Sequence, residues 1–575
     1  MIGPVPGVSI RRRTQAAALI LLTFLAMGSV LGNGWVQDDI PLGLLNERIH
    51  QWSGLWSGFT GPYWPAPSTS GLYRPLAVSL FTLLWQVGNG EVWVFRGADL
   101  LCYLSAVLAV WALARRLLAP TPAWIAAALF AVHPVHTEAV AVAVGQGESL
   151  VTALSAGACV LWLDLRDGRR SAARTTLLLT LAFLAALGLK EHALVLPALL
   201  LLLELLAPQP AGGSRDSVRA RHRLLAGLVV LGAAFWALRT AVLGDLAGAD
   251  PADGLAGLSF GSRALTMLSV VPEWARLLIW PAHLQADYAP NEIVPFAGWT
   301  SAQTLGVAVL LIYGALLAWS LRRRRVVALG LVWIAIALAP VANIFVPTGV
   351  ILAERTLMLA SVGAIVTLLG LIPGGAWEIP RVRTPLAVAI GMVIILGALH
   401  SAARLGIWRD TERYILALAV DAPDSWHTHL AVGTLAFEQG DRRDGEAHLR
   451  AAIAIWPDHS RAYRVLAREY RLDGLCAPAI PLLERAVALE PIDQYARLSL
   501  VACLLDQARY REAGALAREG IAGPGRSLEE AFGAAALSAD RADRLAAPRG
   551  TVRLAPFGED QTTIGPHRPA SEPRR

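Results

Sequence analysis

Apolar residues run in membrane-length blocks from Thr14 to about residue 403, with short polar tracts between them. From Arg404 the chain turns charged and amphipathic with a helical period. A bilayer crossing needs roughly 20 mostly apolar residues. Blocks near 14–34, 97–118, 122–142, 148–165, 173–190, 193–208, 223–243, 303–321, 326–345, 350–371 and 384–403 predict about eleven crossings. Two apolar stretches fit less well. The run 76–88, about 13 residues, is too short to span, and 264–283 contains Pro272, Glu273, Arg276 and Pro281. Both are expected as interfacial or re-entrant elements, which are allowed where protein or a wet cavity surrounds them. The first block follows Arg11–Arg13, as a signal peptide or twin-arginine signal would. It lacks a small-x-small cleavage site, however, and Gly-Asn-Gly-Trp follows it, so it reads as an uncleaved first span.

The C-terminal pattern is a repeat. Pro423, Pro457, Pro491 and Pro524 recur at spacings of 34, 34 and 33, the tetratricopeptide period, in which proline closes the second helix of each unit. Inward positions follow the same register: Leu430, Gly433, Leu435 and Phe437, then Ala462, Leu466, Ala467 and Tyr470, then Ala496, Leu500 and Leu504. Three units and a leading half-repeat around Trp408 to Ala422 are about the minimum for a stacked core. The division expected is 1–403 membrane domain, 404–524 tetratricopeptide domain, and 525–575 an alanine-rich helix with a disordered tail from about Ala547. In this register Cys476 begins the second helix of one unit and Cys503 ends the first helix of the next. Those helices are antiparallel neighbours, so the thiols could meet, and an oxidising compartment would permit a disulfide.

Composition sets the class. With 575 residues, 55% hydrophobic and 16% charged, and a mean hydropathy of +0.49, the chain is too apolar for a soluble protein of several domains. The net charge of +6 comes with arginines gathered in tracts between the apolar blocks: Arg11–Arg13, Arg115 and Arg116, 166–174, 215–223, Arg322–Arg325 and 381–383. That is the positive-inside signature of cytoplasmic loops, not a nucleic-acid surface. Placing all six tracts inside gives a cytoplasmic N-terminus and an extracytoplasmic repeat domain, in a bacterial periplasm or an endoplasmic reticulum lumen.

The same path collects the polar residues at one face. Ionisable groups at membrane boundaries are costly, and they mark function. Asp38 and Asp39 follow the first span on the outside. Tyr73-Arg74-Pro75 closes that outer loop. His133, His136 and Glu138 lie toward the outer end of the third span, Lys190, Glu191 and His192 at an outer turn, and Glu354 and Arg355 at the start of the tenth. A carboxylate at Asp38 or Asp39 could accept a proton from an attacking hydroxyl, and Arg74 suits a phosphate. The spacing of His133, His136 and Glu138 falls short of a defined metal signature. No metal site is assigned and no cofactor is specified, which leaves room for a divalent cation. Each group also has a plainer reading, as a cap, an interfacial anchor, a local ion pair or core packing.

In this order, Asp38-Asp39, Tyr73-Arg74-Pro75-Leu76, Leu129 through Val140 with His133-Pro134-Val135-His136-Thr137-Glu138, Leu189-Lys190-Glu191, Leu352-Ala353-Glu354-Arg355 and then the repeats, the chain resembles the transmembrane and tetratricopeptide repeat-containing O-mannosyltransferases, as a bacterial-type relative. The resemblance extends to about residue 524. It implies a GT-C glycosyltransferase: an all-α, polytopic helical domain followed by a tetratricopeptide α-solenoid, an acidic motif in the first outer loop, and a polyprenyl-phosphate sugar donor. It maps the family's first acid onto Asp38 as base, with Asp39 beside it, and Arg74, Lys190 and Arg355 onto the donor phosphate. The expected activity is transfer of a sugar, mannose by the resemblance, to Ser or Thr of a polypeptide held by the repeats. Transfer to a lipid or surface glycan, and a membrane scaffold whose repeats recruit a partner, stand as alternatives. Sugar, acceptor and oligomeric state are not readable from these residues.

Overall fold

The computed structural model describes residues 6–65, 71–208, 215–245, 252, 254–289, 291–491, 493–521 and 526–545. Among these residues every regular element is helical. The first of two compact units, Met1–Ala289 with Ile293–Ala417, contains α1 (Pro6–Met27), α2 (Gly54–Ser57), α3 (Pro75–Gly88), α4 (Val92–Leu117), α5 (Pro120–Ala131), α6 (Thr137–Ala141), α7 (Gln146–Arg166), α8 (Ala172–Leu189), α9 (Leu196–Leu206), α10 (Arg215–Leu243), α11 (Phe260–Ile279), α12 (Ser301–Arg323), α13 (Arg325–Leu338), α14 (Met358–Leu371) and α15 (Pro380–Leu405).

Among the described residues, eight helical stretches are long and apolar enough to cross a membrane: Arg12–Gly32, Val92–Leu117, Ala143–Arg166, Ala172–Leu189, Val218–Leu243, Ser301–Arg323, Glu354–Leu371 and Pro380–Trp408. The protein is a multi-pass membrane protein. The other three expected crossings, 122–142, 193–208 and 326–345, are not continuous membrane-length helices. Pro134 holds the residue before it out of the helical region, so α5 stops at Ala131, His133 is extended (φ −68°, ψ 119°), and a 3-10 turn at Pro134–His136 leads into the short α6. Lys190 is extended (φ −163°, ψ 138°) before a 3-10 turn, Glu191–Val195, that opens α9. α13 ends in a third such turn, Ala339–Val341. Interrupted backbone inside a membrane domain needs partners within the protein. His192 Nε2, 2.7 Å from the Ala337 carbonyl, and the Thr137 hydroxyl, donating to Pro134 O at 2.8 Å, are two of them.

The stretch expected as re-entrant, 264–283, is covered by α11. Near its start Arg263 Nη2 donates to Ile344 O, in the loop between α13 and α14, at 3.0 Å. At its end Leu278 O lies 3.4 Å from His133 Nε2. Both ends meet the end of the bundle that carries the broken turns, so α11 runs along that end and not through the bundle. Gly306 lets α12 close on it, since a Cβ there would stand 2.0 Å from Leu268 O. The short run 76–88 is α3, held to α2 by the Ser79 hydroxyl, which donates to Leu55 O at 2.6 Å.

The boundary expected at Arg404 moves to Ala417/Leu418. Hydropathy marks where lipid contact ends, whereas packing continues past it. Leu405 O accepts from Asn33 Nδ2 at 3.2 Å, Arg409 O accepts from Gly34 N at 2.8 Å, and Trp408 is buried against Tyr414. The half-repeat expected from Trp408 therefore belongs largely to the first unit, and α16 (Thr411–Asp421) carries the chain from one unit to the other.

The second unit, Leu418–Arg575 with Pro290–Glu292, stacks helix pairs: α17 (Trp426–Gln439) with α18 (Arg442–Ile455), α19 (Ser460–Leu472) with α20 (Cys476–Leu489), and α21 (Gln494–Asp506) with α22 (Tyr510–Ile521), followed by α23 (Arg526–Leu545). Pro524 and the tail from Ala547 lie outside the described residues. A disulfide joins Cys476 to Cys503, Cα–Cα 5.0 Å, tying α20 to α21. The turn inside each pair uses a left-handed residue at one repeat position: Gly440 (φ 88°), Gly474 (φ 72°) and Ala508 (φ 57°). The third repeat therefore places alanine where its neighbours use glycine.

That conformation costs an L-residue roughly 1–2 kcal/mol, of which the freedom glycine has in the unfolded chain offsets about 0.4–1 kcal/mol. Ala508→Gly is expected to stabilise the second unit by up to about 1 kcal/mol, and Gly474→Ala to destabilise it comparably. Scanning calorimetry of the purified protein checks this: the melting temperature should rise for the first variant and fall for the second.

Candidate active site

The segment after α1 is held in an unusual backbone. A 3-10 turn, Gly28–Gly32, ends α1, and the hydrogen bonds from Asn33 and Gly34 then fix the chain to the end of α15. Gln37 adopts φ 53°, a left-handed conformation uncommon for its type, and its side-chain oxygen is buried without a hydrogen-bond partner. Strain of this sort persists where surrounding structure imposes it, and it collects at functional sites. Asp38 and Asp39 come next, at the start of a single π-helical turn, Ile40–Leu44.

The two aspartates have different surroundings. Asp39 is fully buried and engaged: its carboxylate pairs with Arg96 and accepts the Ala143 N–H at 2.7 Å. Arg96, on α4 and itself fully buried, also donates to Asp99 Oδ2 at 2.9 Å and Gly34 O at 2.6 Å, while Gln146 on α7 donates to Asp99 Oδ1 at 2.6 Å. This network anchors the acidic loop to α4 and α7. Asp38 is only partly buried, and among the described residues its carboxylate has one ion pair, Oδ2 to Arg355 Nη2 at 3.6 Å.

Arg355 is one of three cations in this part of the bundle, each with a carboxylate of its own. Arg74 Nε donates to Glu191 Oε2 at 2.9 Å, and Glu191 Oε1 accepts the Tyr73 N–H at 2.9 Å. Lys190 pairs with Glu148 on α7, whose other oxygen is 3.6 Å from His192 Nδ1. Arg355 pairs with Glu138 on α6, which also accepts the Arg355 N–H at 2.8 Å. Tyr63 lies under Arg74, ring centroid 5.0 Å from the guanidinium carbon. The fields of Arg74 and Arg355 both reach Asp38 and Lys190, so the three pairs form one cluster. Every cation here lies next to a broken or extended segment: Arg74 before Pro75, Lys190 after α8, Arg355 in the 3-10 turn that opens the seventh long stretch.

Environment sets the two loop carboxylates apart. Burial raises the pKa of Asp38, and Arg355 only partly opposes it. Burial also penalises Glu191, but the Arg74 guanidinium and the Tyr73 N–H overcome it and hold the group below the usual range. The two carboxylates are thus pushed in opposite directions: Glu191 is held toward its charged form beside Arg74, whereas burial holds Asp38 toward its protonated form.

Of the ten residues expected at the site, Asp38, Arg74, Glu138, Lys190, Glu191 and Arg355 converge. The other four are corrected to supporting positions. Asp39 is occupied by Arg96 and Ala143 and so is not a second free acid. His136 is buried with its ring nitrogens within reach of Tyr103 Oη at 2.8 Å, Phe130 O at 3.1 Å and Ser361 Oγ at 2.9 Å. His133 is taken up by Leu278 O and the Val135 N–H, each at 3.4 Å. Glu354 accepts from Gln285 N at 2.6 Å and Tyr288 Oη at 2.9 Å, fastening the loop after α11. With His136 and Glu138 so occupied, the His133, His136 and Glu138 set does not fit a metal. Among the described residues no group of three or more His, Cys, Asp or Glu is arranged to hold one. The sequence reading missed Arg96, Asp99, Gln146 and Glu148. The signal was present: each lies in or at the start of an apolar membrane-length helix, where an ionisable side chain is expensive unless paired.

Removing one partner from a buried ion pair leaves an uncompensated charge, at a cost of about 3–5 kcal/mol. Arg96→Met is therefore expected to lower the melting temperature strongly, while Asp38→Asn, which frees no buried cation of its carboxylate partner, should leave it nearly unchanged. Thermal unfolding in detergent separates the two, and a mild Arg96→Met would contradict the anchoring role.

Residues 73–237, which span Arg74, Glu138, Lys190 and Glu191, match the family described as dolichyl-phosphate-mannose-protein mannosyltransferase. The protein O-mannosyl-transferase TMTC3 of Mus musculus is 25% identical over 473 residues, covering 76% of this chain and 50% of that protein. Tmtc2 of Drosophila melanogaster, also a protein O-mannosyl-transferase, is 32% identical over 289 residues, 47% and 30% of the two chains. The chain thus spans about half the length or less of these two relatives. Among solved structures, the apo oligosaccharyltransferase of Archaeoglobus fulgidus superposes over 68% of this chain and 55% of its own, at 14% identity and a TM-score of 0.38. By these matches the chain is similar in sequence to protein O-mannosyl-transferases of the TMTC type.

Proposed function

We propose that the protein transfers a sugar, mannose by analogy with its relatives, from a polyprenyl phosphate to a Ser or Thr hydroxyl of a polypeptide held by the repeats, at the extracytoplasmic face. The observation that carries this reading is the charge arrangement. Three cations are each held by a dedicated carboxylate, and Asp38 stands beside them with a raised pKa and one longer contact. In the step proposed, the acceptor oxygen attacks the anomeric carbon, the bond from that carbon to the phosphate oxygen breaks, and the hydroxyl proton passes to Asp38. Polyprenyl phosphate departs with the electron pair, and Arg74, Lys190 and Arg355 stabilise the charge that develops on it. Glu191, Glu148 and Glu138 keep those cations in place; each pair is formally neutral, so the phosphate would be met by directed N–H donors and not by net positive charge.

The arginine tracts support an outside location for this face and for the repeats. The Cys476–Cys503 disulfide fits an oxidising compartment. Transfer to a polypeptide, and not to a glycan, rests on the repeats, whose helix pairs are of the kind that line extended binding surfaces.

Proton abstraction by a positioned base contributes roughly 10²–10⁴-fold, so Asp38→Asn is expected to lower kcat by that factor while folding is retained. Incubation with labelled polyprenyl-phosphate mannose and a Ser/Thr polypeptide, followed by mass analysis, reads this out. Full activity in a folded Asp38→Asn protein would reject the base assignment. The base works deprotonated, so activity is present above its pKa and lost as pH falls through it. Because burial raises that pKa, the acidic limb of kcat/KM should lie above the ordinary aspartate value of about 3.9, and it should disappear in Asp38→Asn.

A further inference from the structure

We propose that the inner face of the second repeat is a docking surface for an acidic stretch of polypeptide. The identity of the occupant rests on the reading above, that the repeats hold a polypeptide acceptor, and the surface narrows which polypeptides qualify.

α19 reads SRAYRVLAREYRL. Arg461, Arg464, Arg468 and Arg471 fall at i, i+3, i+7 and i+10, along one side of the helix, next to a core stripe in which Ala462, Leu466 and Ala467 are buried. One ion pair and one electrostatic influence show where the arginine side points. Arg464 Nε is 3.3 Å from Asp493, the N-cap residue of α21. Toward the other neighbour, the charge of Arg468 acts on Glu438 in the last turn of α17. An outward, solvated face could not reach both. The stripe lies where the first helices of the three pairs adjoin, which in a stacked-pair solenoid is the ligand-facing side. Positions 34 residues away carry Leu430, Thr434 and Phe437 on α17, and Leu498, Ala502 and Leu505 on α21. Arginine at these positions is thus confined to the middle helix of the array.

Asp493 and Glu469 answer part of this charge. Arg471 is different: among the described residues it makes no ion pair, its Nε is buried without a hydrogen-bond partner, and burial, with Arg468 nearby, raises the cost of its charge. A half-buried guanidinium beside a like charge is stabilised by an incoming anion. The row is about 15 Å long at 1.5 Å per residue, and an extended chain carries same-side groups roughly every 6.6 Å. Two or three alternate Asp or Glu side chains could therefore meet successive guanidinium forks, each bidentate. Leu472, 65% exposed at the end of the row, adds an apolar contact.

The test uses the full-length protein in nanodiscs and a fluorescent peptide whose Ser and Thr are flanked by Asp and Glu, compared with the same peptide carrying Asn and Gln. Charged hydrogen bonds of this kind are worth roughly tenfold each in affinity. The acidic peptide is expected to bind about tenfold or more tighter than the neutral one, and to weaken with added salt. Arg468→Gln with Arg471→Gln should abolish that difference while leaving binding of the neutral peptide alone. Arg485→Gln, on the exposed side of α20, should change neither. Should the double variant unfold, Arg471→Lys keeps the charge without the planar fork and should still weaken acidic-peptide binding severalfold. Equal binding of the two peptides, undiminished binding by a folded double variant, or loss of binding to phosphatidylglycerol vesicles in place of peptide would each overturn the proposal. Binding is measured without donor. A protein that prefers the acidic peptide but transfers no sugar refutes the transferase reading and leaves the docking surface standing; sugar transfer without any such preference does the reverse.

Discussion

A single buried guanidinium holds the site together. Arg96 lies wholly out of solvent between Asp39 and Asp99 and also grips the backbone of Gly34. In a low-dielectric interior a lone charge of either sign would be prohibitive, and the arrangement is tolerable because both terminal nitrogens of Arg96 and all four carboxylate oxygens of Asp39 and Asp99 have partners. The loop carrying Asp38 has little regular structure of its own, and its neighbour Gln37 is strained. Its position is imposed by this network through α4 and α7. A flexible acid at a membrane surface becomes an acid at a defined distance from Arg355.

The cluster around it follows the same logic with a different result. Arg74, Lys190 and Arg355 come from three distant parts of the chain, and each arrives with a carboxylate that limits its motion and its local field. Pairing makes it tolerable to gather three cations in a protein interior, each beside a carboxylate of its own. Asp38 stands outside that scheme of pairs, and the chemistry proposed for it follows from that exception. The broken turns are part of the same design. Each opening in a helix, at His133-Pro134, at Lys190 and at Ala353-Glu354, gives a side chain an exit that a continuous helix would direct into lipid.

The repeat unit solves a simpler problem, and local rules describe most of it. Its left-handed turn position and its core spacing recur with the sequence period. The departures from period carry the individual character: alanine in place of glycine at 508, the disulfide between neighbouring pairs, and the arginine row confined to α19.

Membrane class, the approximate number of apolar segments and the repeat register were legible from the sequence, because burial against lipid and stacking of identical units both leave a period in hydrophobicity. The conjunction of Asp38, Arg74, Glu138, Lys190, Glu191 and Arg355 was legible too, through one topological rule about where arginine tracts lie. Partner choice was not. That Asp39 belongs to Arg96, that Glu138 restrains Arg355, that Glu148 reaches Lys190 and that His136 is fully occupied depend on contacts between residues up to 225 positions apart. Hydropathy likewise could not tell a span from a helix broken at a proline, nor show that packing continues past Arg404. The sequence determined which residues must avoid lipid and roughly where. Only the tertiary structure decided which charge neutralises which, since pairing is set by distances that no local pattern records.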